Sequence, residues 1–173
     1  MARQRGQAFE GELNLAWGYY LDWQYTRIED PAGGIGAKRA SDYLALLPNG
    51  VALLAEAKST QQPSLPKRNI KDHQLEALQM AERLGHKAYI LINFRHWPKV
   101  NRAFAVSITD ALTMLEDMDR KSIPLEWCEE NAILLPRVDL WVPGEDGELK
   151  KHKSWDLMPL VDACLGRRVV ASL

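Results

Sequence analysis

The sequence has few cysteines and no long apolar run, and each absence excludes a class of protein. Its two cysteines, Cys128 and Cys164, lie far apart and outside any CxxC pattern, which argues against a zinc site and for reduced, buried thiols. The longest apolar stretches, such as Ala88–Ile92, are too short to span a bilayer. The N-terminal segment is basic but lacks the apolar core of a signal peptide. We therefore expect a cytoplasmic protein with no membrane partner.

The chain also lacks a strong charge of either sign. Its 22 basic and 23 acidic residues give a formal net charge of -1, so no global basic field marks it as a nucleic-acid-binding protein. Any contact with phosphates must come from local clusters of Lys and Arg. The 173 residues, 46% of them hydrophobic, are enough to bury one core, and we expect a single domain over 1–173.

The first part of the chain predicts a helix followed by a loop. Apolar residues recur at Phe9, Leu13 and Trp17, a spacing that places them on one face of a helix. Residues 30–41 contain a proline and three glycines and predict a flexible loop. No Gly-Lys-Ser/Thr follows those glycines, so a nucleotide-binding phosphate loop is a weak interpretation.

The sequence LALLPNGVALLAEAK predicts a β-hairpin, because Asn-Gly separates two apolar runs. If Pro48–Gly50 form a three-residue loop, Leu47 pairs with Val51 and Asp42 lies directly across from Glu56. A two-residue loop would place Asp42 and Glu56 on opposite faces. We predict the first register.

The segment that follows predicts a crossover between parallel strands. We expect a helix with Asn69 as its N-cap and Gly85 as its stop, and then a buried strand over Lys87–Phe94. Strand, helix and strand in this order imply a right-handed connection between parallel strands. The fold class is therefore α/β, with a mixed sheet and helices packed on it.

The remaining chain is less regular in pattern. It predicts a strand over Arg102–Ile108 and a short helix capped by Thr109. We expect residues 121–173 to be largely irregular, with short strand candidates and an exposed turn or hairpin around 144–153.

Asp42, Glu56 and Lys58 are the candidate catalytic residues. Directly opposed residues on paired strands have Cβ atoms about 4.5–5.5 Å apart, and two carboxylates at that separation repel unless a cation lies between them. Mg²⁺ suits one or two carboxylates together with water and phosphate oxygens, and it activates water for phosphate hydrolysis. Lys58 follows Glu56 on the same face. The alternative is a solvated strand end, because Glu-x-Lys triplets arise often by chance.

Several motifs resemble RecU-type Holliday junction resolvases of the PD-(D/E)xK nuclease superfamily. They are Gly6 with Phe9-Glu10, SDY at 41–43, AEAKST at 55–60, NIKDHQLEAL at 69–78 and RKSIPLEW at 120–127. This resemblance implies a restriction-endonuclease-like fold, a mixed central sheet flanked by helices, in one nuclease domain. It also implies a Mg²⁺-dependent endodeoxyribonuclease, with Mn²⁺ as a substitute for Mg²⁺.

The resemblance also implies residue roles. Asp42, Glu56 and Gln74 correspond to metal ligands, and Lys58 to the residue that stabilises the transition state. Glu10 corresponds to an acidic residue of the first helix beside the active site. This assignment rests on resemblance alone.

Two departures from the family pattern affect the expected site. Ala40 stands where the family has a threonine, next to Ser41. The segment Tyr25–Ala40 is short and glycine-rich where the family has a longer stalk. A helical wheel does not separate Glu10 from Glu12, because the two flank the apolar stripe almost symmetrically.

Three functions follow as hypotheses. The first is a homodimeric resolvase that makes paired nicks in four-way DNA junctions, in bacterial or phage recombination, repair or DNA packaging. The second is a nuclease of the same fold that cuts other branched or duplex DNA. The third is a junction-binding module without cleavage. The predicted DNA contacts are Arg3, Arg5, Lys38, Arg39, Lys67 and Arg68.

Overall fold

The computed structural model describes residues 2–21, 25–28, 41–96, 100–117 and 120–167, and the backbone alone at 2–6, 21, 96 and 117. The helices are α1 (Ala2–Leu21), α2 (Asp72–Arg83), α3 (Ile108–Asp117), α4 (Leu125–Asn131) and α5 (Met158–Cys164). The strands are β1 (Tyr25–Arg27), β2 (Tyr43–Leu46), β3 (Ala52–Thr60), β4 (Ser64–Pro66), β5 (Lys87–His96), β6 (Val100–Ser107), β7 (Ser122–Pro124), β8 (Ile133–Leu135), β9 (Arg137–Pro143) and β10 (Leu149–Trp155).

A six-stranded mixed sheet forms the centre, in the order β1-β2-β3-β5-β6-β8. Strands β3 and β5 are parallel, as the strand–helix–strand pattern predicts, and the other neighbours in this sheet are antiparallel. Two antiparallel ribbons, β4–β7 and β9–β10, lie outside it. The predicted class, an α/β fold with a mixed sheet flanked by helices, is confirmed.

Each face of the sheet has its own core, because successive side chains of a strand point to opposite faces. On one face, Leu53 and Leu91 pack with α1, α5 and the end of β10. On the other face, Ile90 and Ile92 pack with α2, α3 and α4. The apolar stripe of α1 lies in the first of these cores, as predicted. No helix in the described ranges is long and apolar enough to cross a membrane.

The β2–β3 hairpin has the predicted register. Tyr43 pairs with Ala55, and the Leu47 amide donates to the Val51 carbonyl at 2.9 Å. The loop is therefore three residues long. It closes on Gly50, whose φ of 79° lies in the left-handed region that favours glycine.

The start of α2 differs from the prediction. Asn69 is not the N-cap, since Lys67–Asn69 form a 3₁₀ turn and α2 begins only at Asp72. The Lys67 amide donates to the Lys121 carbonyl at 2.9 Å, which holds this turn against a distant segment. That pairing leaves no local signal in the sequence. The predicted stop is confirmed, because Gly85 follows the helix with φ 84°.

In the second half of the chain, the expected cap of α3 is wrong and the expected irregular C-terminal part is wrong in part. The helix α3 is capped by Ser107, whose Oγ accepts from the Asp110 amide at 3.1 Å, and Thr109 instead donates to Glu82. Residues 122–164 are more regular than expected, since they form β7, α4, β8, the β9–β10 hairpin and α5. The short strand candidates and the hairpin around 144–153 are confirmed. The predicted loop 30–41 lies outside the described residues except for Ser41.

Candidate active site

Asp42 and Glu56 lie on the same face of the sheet. The Asp42 amide donates to the Ala55 carbonyl at 3.1 Å, so the hairpin ladder continues to the position where Asp42 is opposite Glu56. Asp42 Oδ2 accepts from the Ala57 amide at 2.8 Å, which fixes its carboxylate beside β3. The two residues are only 2% and 1% exposed. The two carboxylates therefore lie opposite each other as predicted, and both are buried.

Lys58 and Gln74 complete a connected group around Glu56. Lys58 Nζ lies 2.6 Å from Glu56 Oε1, and Gln74 Nε2 donates to the same oxygen at 2.5 Å. The side-chain oxygen of Gln74, Oε1, accepts from Lys58 Nζ at 3.2 Å and from the Lys71 amide at 3.1 Å. This last contact closes the first turn of α2, so the helix end and the side chains near Glu56 hold each other in place.

The surroundings of Glu56 make its ionisation costly. Ile90 is its neighbour on β5, Ile92 is the neighbour of Lys58, and both remove water from this part of the face. Burial raises the pKa of Glu56 to about 7, against the lowering effect of the Lys58 ammonium. Asp42 raises the pKa further, through its charge and through a hydrogen bond between the two carboxyls. A cation between these carboxyls would offset that repulsion.

The available ligands fit a hard divalent cation such as Mg²⁺. Glu56 Oε2 is buried, and Asp42 is its carboxylate neighbour. No cluster of three or more Asp, Glu, His or Cys exists among the described residues, so these two carboxylates would share the ion with water or phosphate oxygens. Gln74 as a third ligand stays a prediction, because its oxygen accepts from Lys58 and Lys71 here.

Glu10 lies apart from this group in the described contacts. Its carboxylate pairs with Arg27 at 2.5 Å, and its carbonyl accepts from the Tyr43 hydroxyl at 3.2 Å. Tyr43 points into the core under α1, on the face opposite to Glu56. A catalytic role for Glu10 therefore stays a prediction.

The predicted DNA contacts are described only in part. Lys67 and Arg68 are exposed on the turn before α2, a few residues from Gln74. Arg3 and Arg5 belong to the first turns of α1, with their side chains outside the described part, and Lys38 and Arg39 lie in the segment that is not described.

Glu12, which the sequence pattern does not separate from Glu10, has the more extensive contacts. Its carboxylate accepts from Arg95 at 2.9 Å, from two nitrogens of Arg137 at 2.8 and 2.9 Å, and from Trp155 Nε1 at 2.9 Å. These partners come from β5, β9 and β10, so Glu12 fastens α1 to the sheet and to the C-terminal hairpin. The contacts join distant segments, and no local pattern could have revealed them.

The shifted pKa of Glu56 predicts a pH-dependent stability in EDTA. The folded state keeps the proton up to a pH of about 7, whereas the unfolded chain releases it near the ordinary value of 4.5. The contribution of Glu56 to the free energy of unfolding is complete below pH 4.5 and is lost as the pH rises to about 7. Glu56→Gln cannot ionise, so at pH 8 the variant should be more stable than the wild type by about 1–3 kcal/mol.

Urea unfolding of both proteins at pH 5 and pH 8 measures this difference. The advantage of the variant should be much smaller at pH 5, where folded Glu56 is already protonated. A difference in the free energy of unfolding that is the same at both pH values would show that burial does not raise the pKa of Glu56.

Comparison with known proteins gives two matches. The family model described as Recombination protein U (RecU) matches residues 31–140, more than half of the chain. The structure is similar to Hjc, a Holliday junction resolvase from the archaeal hyperthermophile Archaeoglobus fulgidus. The TM-score is 0.47 at 19% sequence identity, over 72% of this chain and 92% of that one. None of the curated proteins matches the sequence.

Proposed function

Because the chain belongs to the RecU family, we propose that it is an endodeoxyribonuclease that resolves four-way DNA junctions with the help of Mg²⁺. The observation that carries this proposal is the convergence of Asp42 and Glu56 on one buried face, with the Lys58 ammonium 2.6 Å from Glu56. Glu56 is a buried carboxyl with a raised pKa, which is costly to stability, and such groups concentrate at functional sites.

In this proposal each side chain has a distinct role. Asp42 and Glu56 would hold the ion, which when bound would polarise the scissile phosphate and lower the pKa of a bound water. Lys58 places its positive charge where negative charge develops on the phosphate during hydrolysis. Gln74 fixes both Glu56 and Lys58 through its amide. Ile90 and Ile92 keep bulk water from this face, which strengthens each of these electrostatic contacts.

Resolution of a junction requires cuts in two strands. One active site cuts one strand at a time, so two copies related by a two-fold axis match the symmetry of the four-way junction. We propose a homodimer as the active form. The description of the family as a recombination protein supports a role in DNA recombination or repair, and we propose a bacterium or phage as the setting. We also propose that Mn²⁺ can replace Mg²⁺.

The proposal predicts cleavage of four-way junctions in Mg²⁺ and binding without cleavage in Ca²⁺. The assay compares a labelled junction with a linear duplex of the same arm sequence in each ion. Paired nicks in the junction alone support the resolvase. Equal cutting of the duplex would instead indicate a general nuclease, and a shifted but intact junction in Mg²⁺ would indicate a binding module. Denaturing gels identify the cut strands.

A further inference from the structure

A basic cavity opens beside the candidate active site. It has a volume of about 980 Å³ and lies between the β4–β7 ribbon, the following turn and the first turn of α2. Its cationic lining residues are Lys67, Arg68, Lys71, Arg120 and Lys121, with His73 beside them. Asp72 is the carboxylate in this lining. The cavity is therefore strongly positive in a protein whose overall charge is close to zero.

The β4–β7 ribbon brings two basic dipeptides together from distant parts of the chain. Pro66 pairs with Ser122, and the Lys67 amide donates to the Lys121 carbonyl at 2.9 Å. Lys67-Arg68 and Arg120-Lys121 thus lie at the same end of the ribbon. Leu65 and Ile123 are buried beneath it and hold it on the core. The cations are therefore presented by a fixed part of the fold.

These cations differ from the other basic side chains of the protein. Among the described Lys and Arg side chains, those of the cavity form no ion pair, and outside the cavity this holds only for Arg83 and Lys87. In the β9–β10 hairpin, by contrast, Lys151 and Lys153 both pair with Asp139. Uncompensated like charges repel one another in the folded state, and a cleft lined by one sign of charge attracts ligands of the other sign.

The cavity and the active site meet at the first turn of α2, where Lys71 and His73 line the cavity and the next residue, Gln74, contacts Glu56. The Lys71 amide donates to the Gln74 side-chain oxygen at 3.1 Å, and Gln74 donates to Glu56 at 2.5 Å. A phosphate chain that passes Glu56 would therefore meet the cavity within one turn of the helix. The cavity is far larger than a single phosphate ion, and its cations come from two separate segments, 67–71 and 120–121, which favours a polymer over a small anion.

We propose that this cavity binds the backbone of the DNA strand next to the scissile phosphate, through Lys67, Arg68, Lys71, Arg120 and Lys121. The proposal rests on the function proposed above and names the surface that holds its substrate. Arg120 and Lys121 are the new residues in this surface, and nothing in the local sequence pattern identifies them as neighbours of Lys67.

The test is the salt dependence of DNA binding in EDTA, measured by fluorescence anisotropy on a four-way junction and on a duplex. Each phosphate contact contributes about 0.9 to the slope of log K against log salt on duplex DNA. Arg120→Gln/Lys121→Gln should therefore lower the slope by up to about 1.8. The matched control, Lys151→Gln/Lys153→Gln, removes two cations that Asp139 already neutralises and should leave the slope nearly unchanged.

The outcomes separate this inference from the proposed function. Equal slopes for the two double variants, with thermal unfolding like that of the wild type, would overturn the cavity as the DNA surface, even if the wild type cuts junctions. A lower slope for the cavity variant supports the inference even if the wild type cuts nothing, since binding is measured without cleavage. A third outcome is that a free nucleotide stabilises the wild type but not the cavity variant, while both proteins have the same salt slope for DNA binding. That result would identify the cavity as a small-anion site and would overturn the inference.

Discussion

Asp42→Asn and Glu56→Gln should each abolish junction cleavage in Mg²⁺ while the variants still bind the junction. Both substitutions keep the side-chain volume and remove only the charge that would hold the ion. The asparagine oxygen can still accept from the Ala57 amide, and the glutamine oxygen can still accept from Lys58 and Gln74. We expect a rate loss of about a thousandfold or more, which corresponds to about 4 kcal/mol of transition-state stabilisation.

Single-turnover cleavage gives the rates, and binding in Ca²⁺ shows that the substrate is still engaged. Asp139→Asn is the matched control, because it removes an exposed carboxylate of the β9–β10 hairpin far from Glu56 in the fold. A second control is the thermal shift that Mg²⁺ produces in the wild type at pH 8 and that neither active-site variant should show. Cleavage at the wild-type rate by either variant would remove that residue from the mechanism.

The parts of this site that local signals determine were predictable from the sequence. The Asn-Gly turn and the apolar runs on each side of it predict the hairpin, and the choice of a three-residue loop over a two-residue loop places Asp42 opposite Glu56. The alternation of side chains then places Lys58 on the same face. The crossover through α2 follows from a strand, a helix and a strand in succession.

The parts that were missed depend on contacts between distant segments. The 3₁₀ turn before α2 is held by a hydrogen bond from the Lys67 amide to the Lys121 carbonyl, and the sequence around Asn69 gives no signal of this distant partner. For the same reason the sequence identified only Lys67 and Arg68 of the basic cavity, and not Arg120 and Lys121. The helix α5 was missed because it is stabilised by packing on α1 and β8 more than by its own periodicity. Contacts of this kind leave no periodic signal in the local sequence, so they cannot be predicted from it.

Glu12→Ala should cause a large loss of stability, whereas Glu10→Ala should not. The Glu12 carboxylate is 18% exposed and is the shared acceptor for Arg95, Arg137 and Trp155. Its removal leaves two guanidinium groups and an indole N–H without their acceptor in a largely buried region. We expect the free energy of unfolding to fall by about 2–4 kcal/mol, somewhat below the range for a fully buried pair.

Glu10 provides the comparison, because it lies two residues away on the same helix and also pairs with an arginine. Its partner Arg27 is 38% exposed, and an ion pair of this kind contributes less than about 1 kcal/mol. Urea unfolding of both variants measures the difference. Equal destabilisation would mean that the contacts of Glu12 do not hold α1 to the sheet.

The same two variants decide whether Glu10 has the catalytic role that the family resemblance implies. A catalytic Glu10 requires that Glu10→Ala lose cleavage at unchanged stability, because the Arg27 pair contributes little to the fold. A Glu10 that only pairs with Arg27 requires both cleavage and stability to stay near the wild type. Glu12→Ala should lose cleavage only in the conditions where it unfolds, since Glu12 lies under α1 on the face opposite to Glu56.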